Sequence, residues 1–117
     1  MKKILITGIA GFIGFHTAKK LLSLGYDICG FDNYNNYYEP ELKIARAKEL
    51  DKLGLHIANC DLRNLKDLTK LISHAKPDLV IHLAAYAGVR HSLENARDYI
   101  DNNITGTQNL IEACTDV

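Results

Sequence analysis

The chain has 117 residues, 47% of them hydrophobic, a length and composition typical of one ordinary domain with a buried core. Its 14 basic and 14 acidic residues give a formal net charge of zero, which excludes the net positive field that recruits nucleic acid or anionic lipid. The three cysteines form no CxxC pair, which argues against a zinc site or a redox motif. We therefore expect a cytoplasmic protein with reduced thiols, no metal, no membrane segment and no nucleic-acid partner.

The first 25 residues predict a strand, a glycine turn and a helix. The apolar run KKILIT is too short for a helix, and it predicts a buried parallel strand over residues 2–7. Apolar residues then recur at helical spacing over residues 12–24, with Lys19 and Lys20 in the last turns and Gly25 in position to cap the helix.

The same alternation continues through the rest of the chain. Further strands are predicted at YDICGF, LHIANC and DLVIHLAA, and further helices at EPELKIARAKELDKL, at LKDLTKLISHA and over roughly residues 94–115. Strands that alternate with helices in this way predict βαβ units with right-handed crossovers. The expected fold is α/β: a Rossmann-like, doubly wound parallel sheet of strand order 3-2-1-4 that is truncated after about four βα units.

Three glycines, Gly8, Gly11 and Gly14, join the first strand to the first helix. The first N–H groups of a helix lack intrahelical partners and lie at the positive end of its dipole, so they form an anion site. Because glycine has no Cβ, a pyrophosphate can approach the backbone and the helix can lie close to the strand. The motif predicts a dinucleotide phosphate site, with tight packing and no ligand as the alternative.

Two acidic residues extend the predicted site. Asp32 ends the second strand, 18 residues beyond Gly14, where a carboxylate can accept hydrogen bonds from the adenosine ribose. The same charge would repel the extra phosphate of NADP, which favours NAD; the alternative is a solvated loop aspartate. Asp61 follows the third strand and could meet the adenine edge itself or through Leu62, with a plain helix N-cap as the alternative.

These residues also resemble a known family. TGIAGFIG is similar to the TGxxGxxG fingerprint of the extended short-chain dehydrogenases/reductases, in the NAD-dependent epimerase/dehydratase family. FDNYNN resembles that family's ribose-binding strand end, HLAA its fourth-strand motif and YIDNNITGTQNLIEAC its following helix. Within the family, DNYNNYYEPELKIARAKEL and AGVRHSLEN resemble the UDP-glucuronate 4-epimerases. The resemblance covers the whole chain and implies an NAD-dependent isomerase of nucleotide sugars.

The resemblance implies where NAD would contact the chain. The implied pyrophosphate residues are Gly8, Gly11, Phe12, Ile13 and Gly14. Those implied around the adenosine are Asp32, Asn33, Asn36, Asp61 and Leu62. Those implied beneath the cofactor and towards its nicotinamide are Leu83, Ala84, Ala85, Tyr86 and Ala87. Asn102 and Asn103 match asparagines that reach the cofactor or support the active site, and satisfying a helix distortion near Gly106 is the alternative.

One loop carries the candidate for substrate binding. Arg90 can bind a carboxylate or phosphate of a sugar nucleotide bidentately, although a solvated ion pair with Glu94 is the alternative. No ligand constellation joins His82 and His91, so we expect structural roles for both. Ser92 has no base beside it in the sequence, and we predict no nucleophile.

The catalytic pair of the resembled family is absent. There a Tyr-x-x-x-Lys pair performs proton transfer and grips the nicotinamide ribose, but no tyrosine of this chain has a lysine four residues later. We therefore expect no catalytic residue and no activity in the chain alone. We interpret it as the N-terminal piece of a longer epimerase. The implied parent reaction is oxidation at the sugar C4 by NAD, rotation of the keto intermediate and return of hydride to the opposite face.

Alternatives to the epimerase remain open at this point. A sugar-nucleotide 4,6-dehydratase or a decarboxylase shares the motifs present, and a stand-alone NAD-binding sensor or interaction module is a hypothesis of another class.

In the predicted order the fourth strand lies at an edge, and DLVIHLAA is apolar on both faces. We therefore expect a homodimer or other strand-edge self-association, with a nucleotide sugar as the partner of the parent enzyme.

Overall fold

The computed structural model describes residues 2–33, 40–85 and 94–115. The chain divides into two compact units. We call Met1–Asn59 with Pro77–Ala84 the sheet unit, and Cys60–Lys76 with Ala85–Val117 the helix unit. A single NAD-binding domain over residues 1–117 stays a prediction.

The sheet unit has the predicted βαβ architecture. Its elements in chain order are β1 (Lys3–Thr7), α1 (Phe12–Ser23), β2 (Asp27–Asp32), α2 (Pro40–Lys52), β3 (His56–Asn59) and β4 (Leu79–His82). All pairings are parallel, in the order β3-β2-β1-β4, which confirms the predicted sheet and its strand order. Parallel pairing places the carboxyl ends of all four strands at one edge of the sheet, where ligands of such folds bind.

The hydrophobic core of the sheet unit lies between the strands and the helices α1 and α2. It contains apolar residues of β1, β2, the glycine turn, both helices and the loop before β3: Ile4, Ile6, Ile9, Phe15, Ala18, Ile28, Leu50 and Leu55. Both helices end at the predicted glycines, since Gly25 and Gly54 have φ angles of 91° and 88° and their N–H groups donate to Leu22 and Asp51.

β4 is shorter than the predicted DLVIHLAA. The strand ends after His82. The N–H of Leu83 is shared between the carbonyl of Thr7 at 3.3 Å and its hydroxyl at 2.9 Å, and the N–H of Ala84 donates to that hydroxyl. Among the described residues, β4 pairs with β1 and with no other strand. Leu79 at its start is exposed. Self-association through this edge stays a prediction.

The helix unit contains α3 (Leu65–Ala75), α4 (Ala96–Tyr99), a π-helix (Ile100–Thr105) and α5 (Gly106–Thr115). α3 packs against α5, and the side chains buried on these two helices include Leu68, Ile72, Leu110 and Ala113. The described part of the chain has no helix of the length and apolar character that a membrane crossing requires.

The last predicted helix, over residues 94–115, is not continuous. It is interrupted by the π-helix, whose turn holds one residue more than an α-helical turn. Buried Asn102 lies in this segment, and Gly106 follows it directly. A Cβ on Gly106 would lie 2.8 Å from Cβ of Leu62, so the missing side chain permits this close contact.

Candidate functional site

The glycine turn begins where β1 ends. Gly8 has a φ of +68°, which favours glycine, and its N–H donates to the carbonyl of Phe31 in β2 at 3.0 Å. A Cβ on Gly8 would lie 2.9 Å from both Cα and N of Ala84, just after β4. The backbones after β1 and after β4 therefore meet at a distance that no side chain allows.

Gly14 brings the start of α1 onto the same turn. A Cβ on Gly14 would overlap the carbonyl oxygen of Gly8 and lie 3.0 Å from Cα of Ile9. Gly11, the N-cap residue, donates its N–H to that same carbonyl of Gly8 at 3.0 Å. Backbone contacts thus hold the first turn of α1 against the glycine turn.

The N-terminus of α1 has the properties of an anion site. Gly11 has no side chain to cap the helix, and the first turn contains no acidic residue. The N–H groups of Phe12, Ile13 and Gly14 lack intrahelical partners by helix geometry, and the helix dipole makes this end positive. Phe12 and Ile13 are 66% and 64% exposed, unlike a helix start that is buried in a core. A pyrophosphate fits this arrangement.

Asp32 is buried at the end of β2, with 3% of its surface exposed. The alternative of a solvated loop aspartate is therefore wrong. Its Oδ2 accepts a hydrogen bond from the N–H of Ala10 at 3.1 Å, and its Oδ1 pairs with Nζ of Lys43 at 3.2 Å. The carboxylate is thus tied to the glycine turn on one side and to α2 on the other.

Sequence reasoning missed both basic residues of α2 that reach the glycine turn. Lys43 is 7% exposed and pairs with Asp32. Arg46, three residues on, donates from Nη1 to the carbonyl of Ala10 at 3.3 Å, and its guanidinium lies 5.8 Å from the ring centroid of Phe12. Their spacing of three along a helix was the signal available, since such residues share a face.

Thr7, also missed, connects the ends of β1 and β4. Its Oγ1 accepts hydrogen bonds from the N–H groups of Leu83 and Ala84 at 2.9 and 3.0 Å. Because these two bonds use both lone pairs, its single hydrogen is donated to Nδ1 of His82 at 2.7 Å. With this donation, neutral His82 carries its own hydrogen on Nε2. A structural role for His82 stays a prediction.

The candidate residues that follow β3 lie in the helix unit. Both carboxylate oxygens of Asp61 bind the guanidinium of Arg63, the shorter contact being 2.7 Å. Asp61 is not the N-cap of α3: that position belongs to Asn64, whose side chain accepts from the N–H of Asp67. Leu62 is buried, and its carbonyl accepts a hydrogen bond from Asn109 at 2.8 Å.

Asn102 and Asn103 lie side by side in the π-helix. The amide of buried Asn102 donates to Oδ1 of Asn103 at 3.4 Å, and the carbonyl of Asn103 accepts the hydroxyl of Thr107 at 2.6 Å. The helix distortion near Gly106 that the alternative required is therefore present. Because π-helical turns recur at functional sites, this finding leaves a contact with the cofactor as a prediction.

Other predicted residues are placed only in part. Asn33 is half-buried after β2, Leu83 packs against the core of the sheet unit, and Ala85 is exposed. Asn36, Tyr86, Ala87 and Arg90 lie outside the described residues, as do His91 and Ser92.

The three cysteines are thiols whose pKa values are raised. All three, Cys29, Cys60 and Cys114, are free. Burial raises the pKa of Cys29 and of Cys114. Burial, reinforced by the nearby carboxylates of Asp67 and Asp61, raises the pKa of Cys60 to about 11. Within residues 2–33, 40–85 and 94–115, no three His, Cys, Asp or Glu side chains group as ligands for a metal ion.

Comparison with known proteins identifies relatives in the family that the sequence motifs resemble. The NAD dependent epimerase/dehydratase family model matches residues 4–117. Protein CapI of Staphylococcus aureus is 48% identical, with 94% of this chain and 33% of CapI covered. UDP-glucuronate 4-epimerase 1 of Arabidopsis thaliana is 44% identical, with 95% and 26% covered. The chain thus spans a quarter to a third of the length of these relatives.

Solved structures share the fold. The UDP-glucuronic acid 4-epimerase from Bacillus cereus, solved in complex with UDP-glucuronic acid and NAD, matches with a TM-score of 0.87 and 38% identity. The match covers 98% of this chain and 37% of the Bacillus chain. This similarity confirms the Rossmann-like α/β fold.

We expect the free energy of unfolding to fall as the pH is lowered, because the fold favours neutral His82. Burial lowers the pKa of His82 below its ordinary value of 6.5, so the unfolded chain binds the proton first. The stabilisation is complete above pH 6.5 and is lost as the pH falls through the folded pKa. Urea unfolding between about pH 7.5 and about pH 5.5 measures this loss.

The controls are two histidine substitutions. His82→Asn keeps an uncharged acceptor for Thr7, so it should flatten the pH dependence, whereas the same change at exposed His74 should leave it unchanged. An equal decline in the native chain and in His82→Asn would contradict this origin of the effect.

Proposed function

The chain belongs to the NAD dependent epimerase/dehydratase family, and we propose that it is the NAD-binding portion of a UDP-sugar 4-epimerase whose substrate is UDP-glucuronate. The observation that carries the proposal is the open first turn of α1, in which Gly14 packs on the carbonyl of Gly8 with no side chain between them. Relatives named UDP-glucuronate 4-epimerases, at 41% to 44% identity, support the choice of substrate.

In this proposal the pyrophosphate of NAD binds the N–H groups at the start of α1, and the adenosine ribose binds Asp32. The carboxylate is held between Ala10 and Lys43, so its orientation is set before a ligand arrives. An oriented acceptor costs less entropy on binding than a mobile one. Asp61, Leu62, Asn102 and Asn103 are proposed contacts of the same cofactor.

The chemistry that bound NAD supplies is reversible acceptance of hydride from the sugar C4, so that the reaction consumes no cofactor. The chain's own contribution is to bind and orient that cofactor. Thr7 fixes the backbone of Leu83 and Ala84, the residues proposed to lie beneath the cofactor. We assign no catalytic residue to the chain, and we place the Tyr-x-x-x-Lys pair elsewhere in a longer protein.

The partner proposed for that longer protein is the UDP-sugar substrate. Arg90, outside the described residues, remains the proposed contact for a sugar carboxylate or phosphate. Pairing between copies through the edge of β4 remains a second, independent proposal.

We expect the chain to bind NAD saturably in calorimetric titrations. Asp32→Ala should weaken binding about tenfold or more, since it removes the charged acceptor to which the ribose hydroxyls would donate hydrogen bonds. Asp51→Ala, at an exposed position of α2, should change little. Circular dichroism shows whether each variant is folded. A folded Asp32→Ala chain with native affinity would contradict the proposed ribose contact.

We expect the longer protein that contains this chain to interconvert UDP-glucuronate and its C4 epimer with no net reduction of NAD. Chromatography of the nucleotide sugars distinguishes this outcome from the alternatives. A 4-keto-6-deoxy sugar product or release of carbon dioxide would indicate a dehydratase or a decarboxylase, and either would contradict the proposed reaction.

A further inference from the structure

Two cationic side chains of α2 converge on the residues that would hold the adenosine ribose. Lys43 donates to Oδ1 of Asp32 at 3.2 Å, while Arg46 donates to the carbonyl of Ala10 at 3.3 Å. Ala10 connects the two contacts, because its own N–H donates to Oδ2 of Asp32 at 3.1 Å. Ala10 therefore contacts the carboxylate of Asp32 and the guanidinium of Arg46, and Lys43 contacts the same carboxylate.

This arrangement combines features of two cofactor classes. A carboxylate at the end of the second strand binds the ribose 2′-hydroxyl of NAD, whereas a nearby arginine accommodates the 2′-phosphate of NADP. Here the formal charges of Asp32, Lys43 and Arg46 sum to one positive charge. The sequence suggested that Asp32 favours NAD by repelling the 2′-phosphate of NADP. The two neighbouring cations offset that repulsion.

We propose that Lys43 and Arg46 form a latent binding site for a ribose 2′-phosphate, and that Asp32 keeps this site closed by holding Lys43. The inference rests on the proposed NAD function and adds its specificity determinant. NAD is preferred because the carboxylate of Asp32 forms an ion pair with the ammonium group of Lys43 and accepts hydrogen bonds from the ribose hydroxyls. Without the carboxylate, the same two cations favour a dianionic phosphate.

The burial of Lys43 and Asp32 fits a site that their ion pair keeps closed. Its side chain is 9% exposed and that of Asp32 is 2% exposed, so little water competes for either charge. Arg46 lies nearer the surface, with its guanidinium beside the ring of Phe12 at the first position of α1. The two cations therefore lie on the α2 side of the proposed pyrophosphate site.

The test is a comparison of dissociation constants for NAD and NADP, measured by calorimetry on the 117-residue chain. The native chain should favour NAD. Asp32→Asn, which removes the charge and keeps the size, should shift the ratio towards NADP about tenfold or more, as expected for a charge-assisted contact to phosphate. Asp32→Ser, which also keeps an acceptor for Ala10, provides a second variant that should shift in the same direction.

The double variants identify the phosphate contacts. Adding Lys43→Met or Arg46→Met to Asp32→Asn should abolish or reduce the gained affinity for NADP. Lys48→Met, a matched change at an exposed lysine of the same helix, should leave that gain intact. Undiminished NADP binding in both double variants would overturn the proposed site.

The failure of this inference can be told from failure of the proposed function. If the folded native chain binds NAD but neither folded Asp32 variant gains affinity for NADP, the latent phosphate site is wrong and the NAD site stands. If the folded native chain binds no dinucleotide, the proposed function is wrong, and this inference with it.

Discussion

The close approach of three backbone segments at the glycine turn is the constraint on which the rest of the site depends. Gly8 meets Ala84 after β4, and Gly14 meets the carbonyl of Gly8 at the start of α1. A Cβ at either glycine would push α1 or the end of β4 away. The orientation of the first N–H groups of α1 depends on these contacts, because no capping side chain fixes them.

Side chains then hold this backbone arrangement from two directions. The Thr7 hydroxyl uses its full hydrogen-bonding capacity on His82 and the two residues that follow it. On the other side, Asp32 joins the N–H of Ala10 to the ammonium of Lys43. The helix dipole and the basic residues of α2 both favour a negatively charged ligand, so local electrostatics and backbone geometry point to the same chemistry.

The sheet and its strand order were predictable because apolar runs and helical spacing show which faces are buried. The turn was predictable because three spaced glycines have few other physical uses. The pairing of Lys43 with Asp32 was not predictable. It depends on how α2 packs against the glycine turn, and the residues between β2 and α2 carry no periodic signal from which that packing could be inferred. A helix distortion near Gly106 was one of two alternatives that Asn102 and Asn103 suggested. Its π-helical form was not predictable, because one extra residue per turn barely alters an amphipathic pattern.

The most direct measurement is nitrogen-15 NMR of the chain titrated with NAD. The amide signals of Phe12, Ile13 and Gly14 should shift saturably as the pyrophosphate binds the open start of α1. The amides of Gly25 and Gly54, which precede β2 and β3 at the opposite edge of the sheet, should remain unchanged. Binding that leaves the α1 amides unmoved, or that shifts the amides of Gly25 and Gly54 to the same extent, would contradict a phosphate site built by the glycine turn.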